Sequence, residues 1–343
     1  RIFTHTGRGT LTLKDLSVTW GIVNTPAASV QHGGCIDSTA NVKLINVDMS
    51  SCIASSNAAA NGGAIAASGS VYLKGSRVID NQATGTNYGG FGGAIMAGDV
   101  TLIGSTVADN VLSGSTGLGS VVGGGGIFSH GTVQILSSTI SGNSASGGRL
   151  NHYNEPTSEA GGLYARGTVT ISNSTISANS AAYKGGIDLS GATVSIANST
   201  IAFNHSTNAG SSPAAVGASA QLTLDSDIFS NNTAAGQPSD LSITGAVAPS
   251  GGHDLVFSST SLLPAGALRG ECPLLQPLGF NGGAVQTHAL WSRSPAIDAG
   301  DNASGLPYDE RGTGYPRSSA ATDIGSFEVQ KADEVFGSGF DGC

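Results

Sequence analysis

The segments SRVIDN (76–81), STVADN (105–110), STISGN (138–143), STISAN (174–179), STIAFN (199–204) and SDIFSN (226–231) share one form, Ser-x-apolar-x-x-Asn. Two degenerate copies precede them around Val18 and Met49, so the apolar anchors read Val18, Met49, Val78, Val107, Ile140, Ile176, Ile201 and Ile228 at a mean spacing of about 30 residues. A fixed period of this length is the signature of a stacked-repeat architecture. Around each anchor run short alternating stretches such as VTLIGSTV (100–107) and TVTISNSTI (168–176), with the period of two expected of strands. Helix-period segments are nearly absent and glycine punctuates every repeat. The expected fold is an all-β solenoid with one coil per repeat. At the ~4.8 Å spacing of paired strands, eight coils make a rod about 35 Å long.

The repeated asparagines, Asn81, Asn110, Asn143, Asn179, Asn204 and Asn231, then have a structural role. Asparagine tolerates turn backbone angles, bonds to neighbouring main chain, and stacks into side-chain ladders when identical positions superpose. Cys52 stands in the same slot of its own coil, one coil from Cys35, which makes a Cys35–Cys52 bridge geometrically reasonable. The other local pair is Cys272 with Cys343. An even cysteine count in an acidic, Ser/Thr-rich chain fits an oxidising compartment; four free thiols is the alternative.

The repeats, with their GGAI blocks (62–65 and 92–95), resemble polymorphic outer-membrane-protein repeats over roughly residues 1–260. That resemblance implies a right-handed parallel β-helix of the broad pectate-lyase-like kind. Residues 261–343 are read as a separate C-terminal capping region. There PLGFNGGAVQTHALWSRSPAIDAGDNASG (277–305), DERG (309–312) and TDIGSFEVQ (322–330) resemble, in order, the choice-of-anchor region of bacterial secreted β-helix proteins. The resemblance implies an extracellular or surface-displayed protein and no particular reaction. The chain opens at Arg1 without a signal-peptide pattern or an evident cap, from which missing coils, a processing site or a partner at that end are expected.

Composition removes several functions. The 343 residues include 52 glycines, only 11% charged residues, and a net charge of −9, which argues against a nucleic-acid partner. No apolar run reaches the ~18 residues of a membrane helix. The glycine-rich stretches GTNYGGFGGA (85–94) and GGGGIF (123–128) lack the following helix and the Lys-Ser/Thr pair of a phosphate-binding loop. The acidic stretch 298–305, with Asp309 and Glu310, lacks EF-hand spacing, so no cofactor is expected and calcium is the one candidate ion.

Candidate chemistry gathers in the middle coils. Aligned on their Gly-Gly doublets, three coils present Phe128 with His130, Tyr164 with Arg166, and Lys184 with Asp188 on one strand parity; the same alignment sets Ile36, Ile65 and Ile95 opposite Phe128, Tyr164 and Asp188. Anchor spacing also stretches to 33 and 36 residues there, and the second insert carries Arg149, His152, Tyr153, Glu155 and Glu159. Solenoid insertions form loops on one face, often the binding face. Arginines and Lys184 suit a uronate carboxylate, and Phe128, Tyr153 and Tyr164 suit sugar rings. Three functions follow: an adhesin-like binder of polysaccharide or surface glycan through residues 128–188; a polysaccharide lyase with Lys184, His152 or Arg166 as base and Tyr164 or Tyr153 as acid, or a hydrolase using two of Glu155, Glu159 and Asp188; or a structural envelope component. In the first, His130, Arg149 and Asp188 join the binding face.

Overall fold

The computed structural model describes residues 1–343 except 26–28, 118–119, 151–156, 190–192, 209–215, 219–220, 244–248, 319–320 and 334–343. The protein is all-β, a parallel β-helix of about eight turns, consistent with the right-handed winding expected from the repeats. Among the described residues the only helical element is the 3-10 turn Lys331–Asp333, and no helix is long and apolar enough to cross a membrane.

One coil illustrates all of them. Strand Ile127–Ser129 lies in a nine-stranded sheet; Val133–Leu136 and Thr139–Ser141 form a second face; Ser144–Ser146 lies in a third sheet, also nine-stranded. Among the described strands every neighbouring pair is parallel except the last of the third sheet, Thr233–Ala234 with Gln237–Pro238. Ile127, Val133, Ile135 and Ile140 point inward and join one continuous core along the rod. The alternation of the sequence is therefore the alternation of inside and outside.

Two side-chain ladders turn the corners of each coil. In the asparagine ladder, the Asn81 Nδ2 donates to Asn110 Oδ1 at 2.9 Å, Asn110 to Asn143 at 2.8 Å, Asn143 to Asn179 at 2.9 Å, and Asn179 to Asn204 at 3.0 Å. Asn231 does not continue it. The ladder passes from Asn204 to Asn232 at 2.8 Å and then to Asp240 at 2.7 Å, while Asn231 takes the left-handed backbone position before the ladder slot (φ 61°). The last repeat is DIFSNN (227–232), displaced by one residue: Phe229, not Ile228, pairs with the anchor Ile201. With that shift the ladder residue again follows its anchor by three. The serines that open each repeat form a second ladder, in which each backbone N–H donates to the hydroxyl of the next coil, from Ser76 through Ser105, Ser138 and Ser174 to Ser199.

Cys35 and Cys52 form the expected disulfide, and the Cys52 N–H meets Asn81 Oδ1 at 2.9 Å in the ladder slot. The bridge closes a loop of sequence separation 17. A Cys35→Ser/Cys52→Ser double variant is expected to lose about 3 kcal/mol of stability, read as a lower thermal midpoint, because the ladder contact is made by main chain and survives. A double variant as stable as the parent would refute this. The second expected pairing involves Cys343, which lies outside the described residues.

The described residues after 260 run on from the last coil and pack back against the others. Leu268–Arg269 pairs with Leu255–Val256 as a last strand, after which the chain lies along the outer flank. There Leu275, Leu290, Ala296, Ile324 and Phe327 pack with Ala202, Ile228 and Leu255 as a second core. Glu310, fully buried, accepts hydrogen bonds from Thr139 and Thr175 of neighbouring coils. Its carboxyl is pushed well above the usual range by burial. The flank thus ties together coils that the stacking alone would leave with an exposed threonine row.

Candidate functional site

The middle coils carry an aromatic row on the outside of the first sheet. Leu163 and Ala165, like Ile187 and Leu189, belong to the core, which turns Tyr164 and Asp188 outward as the parity argument expects. Phe128, Tyr164 and Asp188 stack in register. The residues preceding them in that row are Asp37, Ala66 and Met96; Ile36, Ile65 and Ile95 align with Ile127 and face the core. The expected alignment slipped by one because the invariant position is a single glycine. Gly34, Gly63, Gly93, Gly125, Gly161 and Gly185 superpose, and a Cβ at any of them would collide with main chain. The position before it is left-handed and takes Gly33, Gly62, Gly92 or Gly124, but also Ala160 and Lys184.

Phe128 is fully buried although it faces outward, because other rings cover it. Phe91 stacks on it at 4.3 Å between centroids, Tyr164 meets it edge-on at 5.3 Å, and His130 edge-on at 4.6 Å. The exposed Arg166 guanidinium lies over the group, 5.7, 5.2 and 5.4 Å from the Phe91, Phe128 and Tyr164 centroids. Such cation–π contacts contribute roughly 0.5–1 kcal/mol each at exposed sites, enough to hold the long side chain against the rings. Phe128 is thus the floor of the row and offers no free face. Desolvation, then the Arg166 charge, pushes the His130 imidazole below its ordinary pKa.

In the sequence Phe91 reads as part of a glycine loop, with no periodic signal to place it in the row. Its neighbour in the next coil is Gly123, followed by Glu159 and Tyr183. Gly123 is small for a reason: a Cβ there would strike the Tyr164 ring.

Beside the row lies a cleft of roughly 530 Å³ lined by Ser120, Val121, Arg149, Leu150, Thr157, Glu159 and Tyr164. Arg149 is exposed at its rim, held by its main chain: its N–H donates to Ser120 O at 3.0 Å and its carbonyl accepts from Thr157 Oγ1 at 2.6 Å. His152, Tyr153 and Glu155 lie outside the described residues.

Lys184 does not sit on the strand with Asp188. It occupies the turn before it (φ 52°), and its Nζ bridges Glu159 Oε2 and Asp188 Oδ2, each at 3.1 Å. Burial alone would lower the Lys184 pKa, but Asp188 and Glu159 outweigh it and hold the ammonium above its ordinary value. Burial raises Glu159 to about 7 against the opposing pull of Lys184, and the charge of nearby Asp188 adds to the rise. Asp188 is itself buried. To act as a base, Lys184 would first have to leave both carboxylates and lose a proton they stabilise. What this group offers near neutral pH is a carboxyl that can carry a proton, beside a fixed cation.

Of the acidic C-terminal stretch, Asp309 pairs with the buried Arg311 at 2.7 Å and Glu310 is held by the threonine row. Compared with known protein families, with curated proteins and with solved structures, the chain matches none.

Proposed function

We propose that this protein is an extracellular or surface-displayed β-helix that binds a carbohydrate chain, of the acidic kind, across the outer face of its middle coils. The observation that carries this reading is the row Phe91–Phe128–Tyr164 with Arg166 laid over it, running into the cleft that holds Arg149 and Glu159. The partly exposed Phe91 and Tyr164 rings, seated on the buried Phe128, suit the apolar faces of sugars, and the two exposed arginines suit carboxylate groups along the chain. The disulfide fits an oxidising compartment. The likeness of the repeats to polymorphic outer-membrane-protein repeats, and of 277–330 to choice-of-anchor regions, points to the same location.

A second reading, cleavage of that glycan, is favoured by one observation: the Glu159 carboxyl lines the cleft and shares the Lys184 ammonium with Asp188, and burial raises its pKa to about 7. A carboxyl protonated near neutral pH suits protonation of a leaving glycosidic oxygen, with a second carboxylate nearby.

Uronic-acid oligosaccharides titrated into the protein test both readings. Calorimetry should show binding that Tyr164→Ala and Arg166→Ala each weaken at least about tenfold, roughly 1.4 kcal/mol, with the thermal midpoint little changed. Absence of binding across the panel, or undiminished binding in both variants, would overturn the carbohydrate reading. New reducing ends, or absorbance near 235 nm for elimination, report cleavage in the same samples. A hydrolytic signal that Glu159→Gln abolishes would make the site catalytic.

A further inference from the structure

The serine ladder ends in two aspartates. Ser199 N–H donates to Asp227 Oδ1 at 2.8 Å, and Asp227 N–H donates to Asp254 Oδ1 at 3.0 Å. Asp254 is buried, with 0% of its surface exposed, yet its Oδ2 has no hydrogen-bond partner. A buried carboxylate oxygen left in this way is costly unless something positive faces it.

Burial raises the Asp254 pKa, and Asp225 and Asp301 lie near enough for their charges to add to the rise. Together with His253 these two form a constellation in which one ligand atom from each lies within 4.8 Å of the others. His253 Nδ1 is 3.2 Å from Asp301 Oδ2, and burial together with the Asp301 charge raises the pKa of the Asp225 carboxyl. The three come from separate stretches: Asp225 ends strand Leu222–Asp225, His253 follows strand Ser250–Gly252, and Asp301 belongs to the flanking C-terminal segment. Asp301 is held in place by its backbone, whose N–H donates to Ser226 Oγ and whose carbonyl accepts from Asn198 Nδ2, both at 2.8 Å. The arrangement is preorganised, partly open to solvent on the His253 side, and adjoins the buried Asp254, whose Oδ2 is unpartnered.

One imidazole with carboxylates is a donor set for a Zn²⁺-type ion, whereas calcium takes six to eight oxygens. We propose that Asp225, His253 and Asp301 bind a divalent transition-metal ion of the Zn²⁺ type, next to the Asp254 carboxyl. The ion would clip the C-terminal segment to the last turns of the β-helix.

The full chain, stripped with a chelator and returned to chelator-free buffer, is titrated with ZnCl₂ in a calorimeter and melted with and without the metal. One site of micromolar affinity or tighter is expected, with a higher thermal midpoint when it is filled. His253→Asn should weaken binding at least about tenfold and still fold, because Asn46, Asn173 and Asn198 occupy the same left-handed turn position in other coils. Asp301→Asn should do the same, since its anchoring bonds are made by main chain. Absence of Zn²⁺ binding overturns the proposal. So does binding that survives in both variants, which would place the ion on other histidines. Saturation by CaCl₂ in preference to ZnCl₂ would overturn the ion class.

Discussion

Asn143→Ala is expected to lose on the order of 4 kcal/mol of stability. The side chain is fully buried and works in both directions. Its Nδ2 donates to Val107 O at 3.0 Å and Asn179 Oδ1 at 2.9 Å; its Oδ1 accepts from the Asn110 N–H at 3.1 Å and Nδ2 at 2.8 Å. Truncation removes all four bonds and leaves the Asn110 donors and the Val107 carbonyl in the interior without water to replace them, at roughly 1–3 kcal/mol for each group left unsatisfied. Asn231→Ala is the matched control. Asn231 is half-buried and outside the ladder, accepting only from its neighbour Ser230, so the change should cost about 1 kcal/mol, the price of alanine in a left-handed turn. Urea unfolding followed by circular dichroism distinguishes the two. Equal midpoints for the two variants would mean that the ladder contributes nothing beyond its turns.

Gly125→Ala should be at least as damaging as many core truncations, with a loss above about 3 kcal/mol and a fall in soluble yield. Its backbone is not strained; the obstacle is space. An added Cβ would lie 2.5 Å from Gly161 O and from the carbonyl carbon and oxygen of Ser144. All of these are main-chain atoms of hydrogen-bonded strands or turns, so none can swing aside as a side chain would. Gly104→Ala makes the contrasting case: its φ is 52°, but nothing lies within 4 Å of the new methyl group. That change should cost only about 1 kcal/mol. If the two variants melt together, close approach of the chain at Gly125 is not what demands glycine there.

The candidate site was legible only in part. Repeat parity set Tyr164, Arg166 and Asp188 on strand positions turned away from the core, although Asp188 is buried there, because a solenoid's own stacking carries equivalent residues to equivalent places. It could not show that Phe128 would be roofed by Phe91 and Arg166, since those contacts cross between coils and depend on ring orientation. Nor could it show that Lys184 would be drawn into a pair of ion pairs. The Asp225–His253–Asp301 group was hidden for the same reason: its members are separated by 28 and 48 residues.

By itself, the order of residues determined the class of fold, the length of each coil, the asparagine ladder and the Cys35–Cys52 bridge. Each follows from local rules repeated many times: alternation sets inside and outside, turn chemistry sets the corners, and equal spacing brings like onto like. The register of the last repeat and of the glycine doublets was decided elsewhere. A one-residue shift leaves a local pattern such as SDIFSNN almost equally satisfied, so only contact with the next coil selects Phe229 and Asn232. The path of the C-terminal segment is likewise a tertiary matter. Its irregular chain has no period of its own, and its place along the flank is set by where buried Glu310, Ile324 and Phe327 find partners on coils already built.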